Sequence, residues 1–153
     1  MDYQDDLRIY LSRMVDTAIK AGHGNLILVI ESGQQLPEEL KKGVDLTRSP
    51  IDFLQALSNI RRAENGKDMV RANFEMHNLS RLACSMLNHD GITILNTSAQ
   101  LIGYHYIVEN KVDGEDKSIG GSRTKAFEAM KKLEGMKCAF MRKQEGEIII
   151  YCK

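Results

Sequence analysis

The chain contains one run of five consecutive aliphatic residues, Leu26-Ile27-Leu28-Val29-Ile30, which lies between His23-Gly24 and Ser32-Gly33. A strand with one face in water alternates apolar and polar residues, but this run has no polar position. It therefore predicts a strand that is buried on both faces. Such a strand requires helices on each side of its sheet, so the run indicates an α/β fold.

The segments around this strand supply both kinds of element. Apolar residues at three- and four-residue steps predict a helix over residues 5–21, and Ser49-Pro50-Ile51-Asp52 is typical of a helix start with Ser49 as its cap. Residues 33–48 read as a polar connection with one helical turn at most. Two further helices are expected at about 76–88 and at 122–134, and four further strands at 92–96, 101–108, 137–141 and 147–151. This order predicts a single α/β domain with a mixed β-sheet flanked by helices.

The composition fits one folded domain without a strong electrostatic field. Of the 153 residues, 42% are hydrophobic, and 21 basic residues balance 21 acidic ones. The aliphatic content excludes disorder, and the zero net charge gives no reason to expect direct DNA binding or attraction to a membrane surface. The longest apolar runs are also too short to span a bilayer.

The first residues of the sequence and its cysteines both indicate the cytoplasm. The opening Met1-Asp2-Tyr3-Gln4-Asp5-Asp6 is acidic, where a secretory signal is basic. Cys84, Cys138 and Cys152 are odd in number and lack paired-ligand spacing, so they indicate neither a disulfide framework nor a zinc site. We therefore expect a cytoplasmic protein.

A first candidate site lies at Asn88-His89-Asp90-Gly91, between a predicted helix and the strand at 92–96. A carboxylate at a strand edge, with a glycine beside it, is suited to hold a divalent metal or to accept a proton from a hydroxyl. Asp90 is thus a candidate catalytic and metal-binding residue, and Gly91 leaves backbone room next to it. The alternative is an ordinary helix-to-strand turn, for which Asp-Gly is a common pair.

A second candidate site is the segment Gly120-Gly121-Ser122-Arg123-Thr124-Lys125-Ala126, a glycine pair that runs into a predicted helix. Free N–H groups at a helix start attract anions, and glycines allow a phosphate to approach the backbone. Hydroxyl groups, the planar fork of Arg123 and the point charge of Lys125 add further phosphate ligands. The alternative is a loop that enters a helix with solvated basic residues. The Walker pattern is absent.

The two motifs together resemble those of the diadenylate cyclase domain, as found in the nucleotide-binding domain of the DNA-integrity-scanning protein and in related cyclic di-AMP synthases. That family carries Asp-Gly-Ala after a helix and Gly-Thr-Arg-His-Arg-Ala at a helix start. The counterparts in this chain are His89-Asp90-Gly91-Ile92 and Gly121-Ser122-Arg123-Thr124-Lys125-Ala126. Gly24 to Ile30 and Gly43-Val44-Asp45-Leu46 look like the family's first strand and the turn after it, so the similarity extends over residues 7–151.

The resemblance implies a diadenylate-cyclase-like domain that binds a nucleotide, which is ATP or a cyclic oligonucleotide such as a cyclic dinucleotide. It also implies a homo-oligomer, because the family forms its product between two facing subunits. If the domain is active, the resemblance implies that Asp90 activates the attacking 3′-hydroxyl and that Mg²⁺ or Mn²⁺ is the cofactor.

Departures from the family pattern favour binding over catalysis. Thr124 and Lys125 stand where the family has His and Arg, and Lys does not replace the bidentate contact of Arg. Arg142-Lys143-Gln144 is basic where the synthases place an acid for the metal. The sequence therefore predicts a module that senses or sequesters a nucleotide second messenger. A diadenylate cyclase that condenses two ATP molecules is the alternative, and a structural adaptor with a vestigial pocket is a third.

Two tyrosines are candidates for stacking on a nucleobase. Tyr104 and Tyr106 are two residues apart on one predicted strand, so they are expected to share a face of the sheet. Packing against a helix is the alternative explanation for both.

Overall fold

The computed structural model describes residues 3–21, 24–109 and 122–153, without the side chains of residues 3, 4, 18–21 and 122. In chain order the elements are α1 (Tyr3–Ala21), β1 (Asn25–Ile30), β2 (Leu40–Lys41), β3 (Val44–Asp45), β4 (Ile51–Asp52), α2 (Phe53–Arg62), α3 (Gly66–Leu87), β5 (Ile92–Asn96), β6 (Gln100–Val108), α4 (Ser122–Met130), β7 (Met136–Arg142) and β8 (Ile148–Cys152). The strands form one sheet in the order β2-β6-β5-β1-β7-β8, and β3 and β4 also pair with β6. β1 runs parallel to β5, and the other pairs are antiparallel. The predicted mixed sheet is confirmed.

Helices cover both faces of this sheet. On one face, alternate residues of β1 such as Leu28 pack with Phe127 of α4 in one buried cluster. On the other face, Ile27 packs with Met14 of α1 and Phe53 of α2, together with residues of α3. The central strand is therefore buried on both sides, as its unbroken aliphatic run predicts.

The helix boundaries differ from the sequence predictions in two places. Ser49 does not cap α2. Ile51 and Asp52 pair with β6 as β4, and the Asp52 carboxylate then accepts the N–H of Gln55 at 2.9 Å as the cap. α3 begins at Gly66 rather than near residue 76, and the Asn65 side chain caps it by accepting the N–H of Asp68 at 2.8 Å. Ala72 and Met76 are buried, but Met69, Val70 and Phe74 of the early turns are exposed, so apolar residues occupy both faces of the helix there and obscure the stripe on which the prediction relied.

Two other segments also depart from expectation. The connection over residues 33–48 contains the short strands β2 and β3, which pair antiparallel with β6 at the edge of the sheet. It contains no helical turn. α4 ends at Met130, four residues before the predicted end at 134, and Gly135 with φ 78° leads the chain into β7. In the described part of the chain, no helix is both long and apolar enough to cross a membrane.

The expectation that the cysteines indicate no disulfide is wrong. Cys138 of β7 and Cys152 of β8 lie directly opposite each other and form a disulfide, with their Cα atoms 4.1 Å apart. The hairpin turns at Glu145, which is equidistant from the two residues in the sequence. The predicted hairpin did not contain this pairing, because its second strand, 147–151, ends before Cys152, whereas β8 is Ile148–Cys152. Cys84 is the free cysteine.

Candidate functional site

The turn that carries Asp90 is fixed by hydrogen bonds and by a glycine conformation. Asn88 closes α3, because its N–H donates to the carbonyl of Cys84 at 3.1 Å. The Nδ1 of His105 donates to the main-chain carbonyl of Asp90 at 2.6 Å. Gly91 has a φ of 100°, and a Cβ at this position would lie 2.8 Å from the carbonyl oxygen of Tyr106. The turn thus requires glycine after the aspartate and leaves the Asp90 side chain exposed.

Arg123 lies in the first turn of α4 and is held at the start of β1. Its side chain is half-buried, and its guanidinium packs against the backbone of Gly24. A Cβ built on Gly24 would lie 2.6 Å from the Cζ of Arg123, and Gly24 has a φ of 121°. The positive φ favours glycine at this position, and a Cβ here would displace the end of the Arg123 side chain. The absence of a side chain at Gly24 leaves the space that the Arg123 guanidinium occupies.

One cavity joins these two features. It has a volume of about 550 Å³, which is within the range of small-molecule sites. Its lining combines the turn after α3, the start of α4 and the apolar ends of three strands. The lining residues are Leu26, Asp90, Gly91, Ile92, Tyr106, Ile107, Val108, Arg123, Lys125 and Ala126. Asp90 and Arg123, 33 residues apart in the sequence, thus lie at the same cavity.

The cavity lies at the amino-terminal ends of the parallel strands. Leu26 near the start of β1 is in register with Ile92 at the start of β5, and both residues line the cavity. Open α/β sheets usually bind ligands at the carboxyl ends of their strands. A second cavity of about 500 Å³ lies at those opposite ends, beside Thr97 and Ser98. Three charged residues, Asp90, Arg123 and Lys125, line the Asp90 cavity, whereas Arg8 is the one charged residue among the described residues that line the second cavity.

The charges at the Asp90 cavity favour an anionic ligand. Two of its lining residues, Arg123 and Lys125, are cationic, and Asp90 is the one acid among the described residues that line it. Within the described ranges, none of these three side chains takes part in an ion pair. The two cations are therefore not neutralised by that part of the protein and are available to a phosphate.

Not every residue of the second motif lines this cavity. Thr124 is half-buried in α4 but is absent from the lining. Ser122 is the first residue of α4, and its side chain is not described. Gly120 and Gly121 lie outside the described residues. The structure thus brings together Asp90 and two of the basic-motif residues.

The prediction that Tyr104 and Tyr106 share a face is wrong. Tyr104 packs with the cluster under α2 and α3, whereas Tyr106 is buried in the cluster under α4. Between them His105 has a φ of 61°, and the register between β5 and β6 shifts there. An extra residue in one strand ends the two-residue alternation of side chains, so tyrosines at i and i+2 diverge.

Each tyrosine has a structural environment that explains it without a ligand. The Tyr106 ring packs against the backbone of Gly43 and Gly103, and a Cβ on Gly103 would lie 2.7 Å from its Cε2. Burial, with a smaller effect of the nearby Asp45 charge, raises the pKa of the Tyr106 phenol, so its hydroxyl stays protonated. Of the two, Tyr106 alone is among the residues that line the cavity. Base stacking by either tyrosine stays a prediction.

Sequence reasoning missed two residues that organise the site. No local pattern connects Gly24 with Arg123, because their contact joins chain segments about 100 residues apart. His105 was not connected with Asp90, because the positive φ that turns its ring toward the 88–91 turn belongs to a bulge. A glycine directly before a buried strand is the one available signal, since it often marks a close approach of the backbone.

If the Asp90 cavity binds a nucleotide, Gly24→Ala is expected to lower the affinity, because a Cβ at residue 24 displaces the Arg123 guanidinium. The loss is expected to be about threefold to tenfold, no more than the loss on removing Arg123 itself. Titration calorimetry with a nucleotide measures the change. Gly33→Ala is the matched control, because Gly33 also has a positive φ of 79° but no atom lies within 4 Å of a Cβ there. Equal losses in both variants would contradict a positioning role for Gly24.

The residues at the cavity do not form a complete metal site. Among the described residues, no group of three or more His, Cys, Asp or Glu side chains is placed to hold a metal ion. Asp90 offers one carboxylate, and Mg²⁺ often binds proteins through one or two carboxylates plus the phosphates of a ligand. An ion at this position therefore depends on phosphate oxygens.

No protein-family model matches the sequence, and no curated protein matches it significantly.

Proposed function

We propose that this chain is a diadenylate-cyclase-like domain that binds a nucleotide, ATP or a cyclic dinucleotide, and senses or sequesters it. The observation that carries the proposal is the shared cavity of Asp90 and Arg123. It supports a single site in which the two sequence motifs act on one ligand. A phosphate is the ligand group that a half-buried arginine and a helix start favour most.

The composition of the cavity walls supports a nucleotide rather than a simple anion. Leu26, Ile92 and Val108 provide an apolar surface next to the charged residues. A nucleotide has both parts, since its base is flat and largely apolar and its phosphates are charged. In this arrangement Arg123 and Lys125 contact phosphate oxygens, and the Asp90 carboxylate accepts a hydrogen bond from a ribose hydroxyl or a base amino group.

Catalysis is the alternative function, and it makes a stronger demand on the site. As a diadenylate cyclase, the domain would need Asp90 to take the proton of a 3′-hydroxyl while that oxygen bonds to the α-phosphate of an ATP held by a second copy and pyrophosphate leaves. A bound Mg²⁺ or Mn²⁺ supplies charge neutralisation at the transferring phosphate. Asp90 is the one acid of the described lining, so a resident ion has few protein ligands. For this reason we favour binding.

The proposal is tested by thermal unfolding with ATP, GTP, cyclic di-AMP and cyclic di-GMP, each with and without Mn²⁺. A ligand present at about 100 times its dissociation constant stabilises the folded state by about 2.7 kcal/mol, which raises the Tm visibly. We expect stabilisation by an adenine nucleotide, and a smaller effect or none with inorganic pyrophosphate. No shift with any nucleotide contradicts the proposal. A shift with pyrophosphate equal to that with nucleotides would mean that the site recognises an anion alone.

A further inference from the structure

β8 ends the sheet, and its outer edge is open. In the sheet order it is the last strand, and within the described ranges it pairs with β7 alone. An edge strand presents unpaired N–H and C=O groups, and proteins usually protect such edges with charges, prolines or covering segments. Ile148, Ile149 and Ile150 are consecutive β-branched residues, which are the residues most compatible with further strand pairing.

The hydrogen bonds of the hairpin show which backbone groups are unpaired. The N–H of Lys143 donates to the carbonyl of Glu147 at 2.8 Å, and the N–H of Lys153 donates to the carbonyl of Lys137 at 2.9 Å. In an antiparallel pair, hydrogen-bonded and non-hydrogen-bonded positions alternate. The odd-numbered residues of β8 therefore bond to β7. The even-numbered residues 148, 150 and 152 direct their N–H and C=O groups to the open edge.

The same even-numbered residues carry an exposed apolar surface. Ile148 is 47% exposed and Ile150 is 64% exposed, on the face of the sheet opposite the one that packs against α4. Ile149, on the other face, packs against the core. The edge thus combines unpaired backbone groups with exposed apolar side chains at the same residues.

Glu147 and Lys153 flank β8 and carry opposite charges, and Glu147 also forms an ion pair with Lys143 of its own hairpin at 3.0 Å. If β8 pairs antiparallel with a second β8 so that residues 148–152 overlap completely, the twofold axis passes at Ile150. In that register Glu147 of one copy lies opposite Lys153 of the other, and the match occurs twice. A register centred on Ile149 would place Glu145 of the hairpin turn opposite Lys153 instead, but it shortens the overlap of the two strands to residues 148–150. Opposite charges across strands stabilise a pair, and like charges destabilise it.

From these observations we infer that β8 is a self-association edge, at which two copies of the chain form one continuous sheet across an antiparallel β8–β8 pair centred on Ile150. The pair makes about six backbone hydrogen bonds, two at each of the three even-numbered positions. It also packs Ile148 and Ile150 of both copies together on one face. The inference does not depend on the nucleotide proposal, because no residue of β8 lines the Asp90 cavity.

Sedimentation and hydrogen exchange of the whole chain test the inference together. The wild type is expected to dimerise with increasing concentration, and the amides of residues 148, 150 and 152 are expected to become protected only in the dimer. The amides of 149 and 151 are expected to be protected in both states because they bond to β7. A monomer at all concentrations, or a dimer whose even-numbered amides exchange as in the monomer, would overturn the inference.

Variants test the register. Ile150→Lys is expected to raise the dimer dissociation constant about a hundredfold, because two lysines then face each other. Val70→Lys, at a residue of α3 that is 71% exposed, is the control and is expected to leave the constant unchanged. Weakening by Val70→Lys as large as that by Ile150→Lys would place the interface elsewhere and overturn the inference.

A charge reversal completes the test. Glu147→Lys and Lys153→Glu are each expected to raise the dissociation constant about tenfold, because two attractive pairs become repulsive. The double variant restores both pairs with reversed sign, so its constant is expected within about threefold of the wild-type value. Additive losses in the double variant would exclude this register.

Discussion

Arg123→Ala is expected to weaken nucleotide binding about 10- to 150-fold, which corresponds to about 1.5–3 kcal/mol. The guanidinium is held against Gly24 at the wall of the Asp90 cavity, and no described residue forms an ion pair with it. A pre-positioned, unpaired arginine forms charge-assisted hydrogen bonds with phosphate at little cost in side-chain entropy. Removal of the side chain therefore removes most of the specific phosphate recognition.

Two further variants make this measurement specific. Arg123→Lys keeps the charge but not the planar fork, and it is expected to recover only part of the affinity. Arg81→Ala removes an exposed arginine of α3 that does not line the Asp90 cavity, so calorimetry is expected to give the wild-type affinity. Unchanged binding in Arg123→Ala, with a wild-type Tm in the absence of ligand, would remove Arg123 from the site.

Much of the sheet could be predicted because the signals are local. The aliphatic run at 26–30 predicts the doubly buried strand, and the turn residues at 97–99 connect β5 and β6 as the expected hairpin. Element boundaries that depend on pairing with a distant strand were predicted less well. Asp52 replaced Ser49 as the cap of α2 because pairing with β6 extends the strand as far as Asp52. Such competition is decided by tertiary contacts, which no local pattern contains.

In the candidate site, too, local patterns were predictive and contacts between distant segments were not. The resemblance of the two motifs to those of one family predicted that Asp90 and the basic motif lie at one site, and the structure places Asp90 and Arg123 at one cavity. The arrangement of side chains could not. The bulge at His105 separates the two tyrosines, and the contact of Arg123 with Gly24 is made between distant segments. Both depend on backbone conformations of single residues, for which the sequence gives a weak signal.

Asp90→Asn is the substitution that separates binding from catalysis. The variant is expected to fold, because the hydrogen bond from His105 ends on the main-chain carbonyl of residue 90 and the conformation of the turn depends on Gly91. An amide of nearly the same shape replaces an exposed carboxylate. It cannot take a proton from a 3′-hydroxyl, and it binds a divalent ion poorly. Any change therefore reports the chemistry of the carboxylate.

For a binding module we expect no cyclic di-AMP from wild-type protein incubated with ATP and Mn²⁺, and about tenfold weaker nucleotide binding in Asp90→Asn, as a charged hydrogen-bond acceptor becomes neutral. Chromatography of the reaction and calorimetry of the two proteins give these values. Asp16→Asn, an exposed residue of α1 outside the cavity, is the control for charge. Conversion of ATP to a cyclic dinucleotide by the wild type, lost in Asp90→Asn while ATP still binds, would establish the cyclase instead. In that case the metal must obtain its remaining ligands from the phosphates and from water, because Asp90 is the one acid of the described lining.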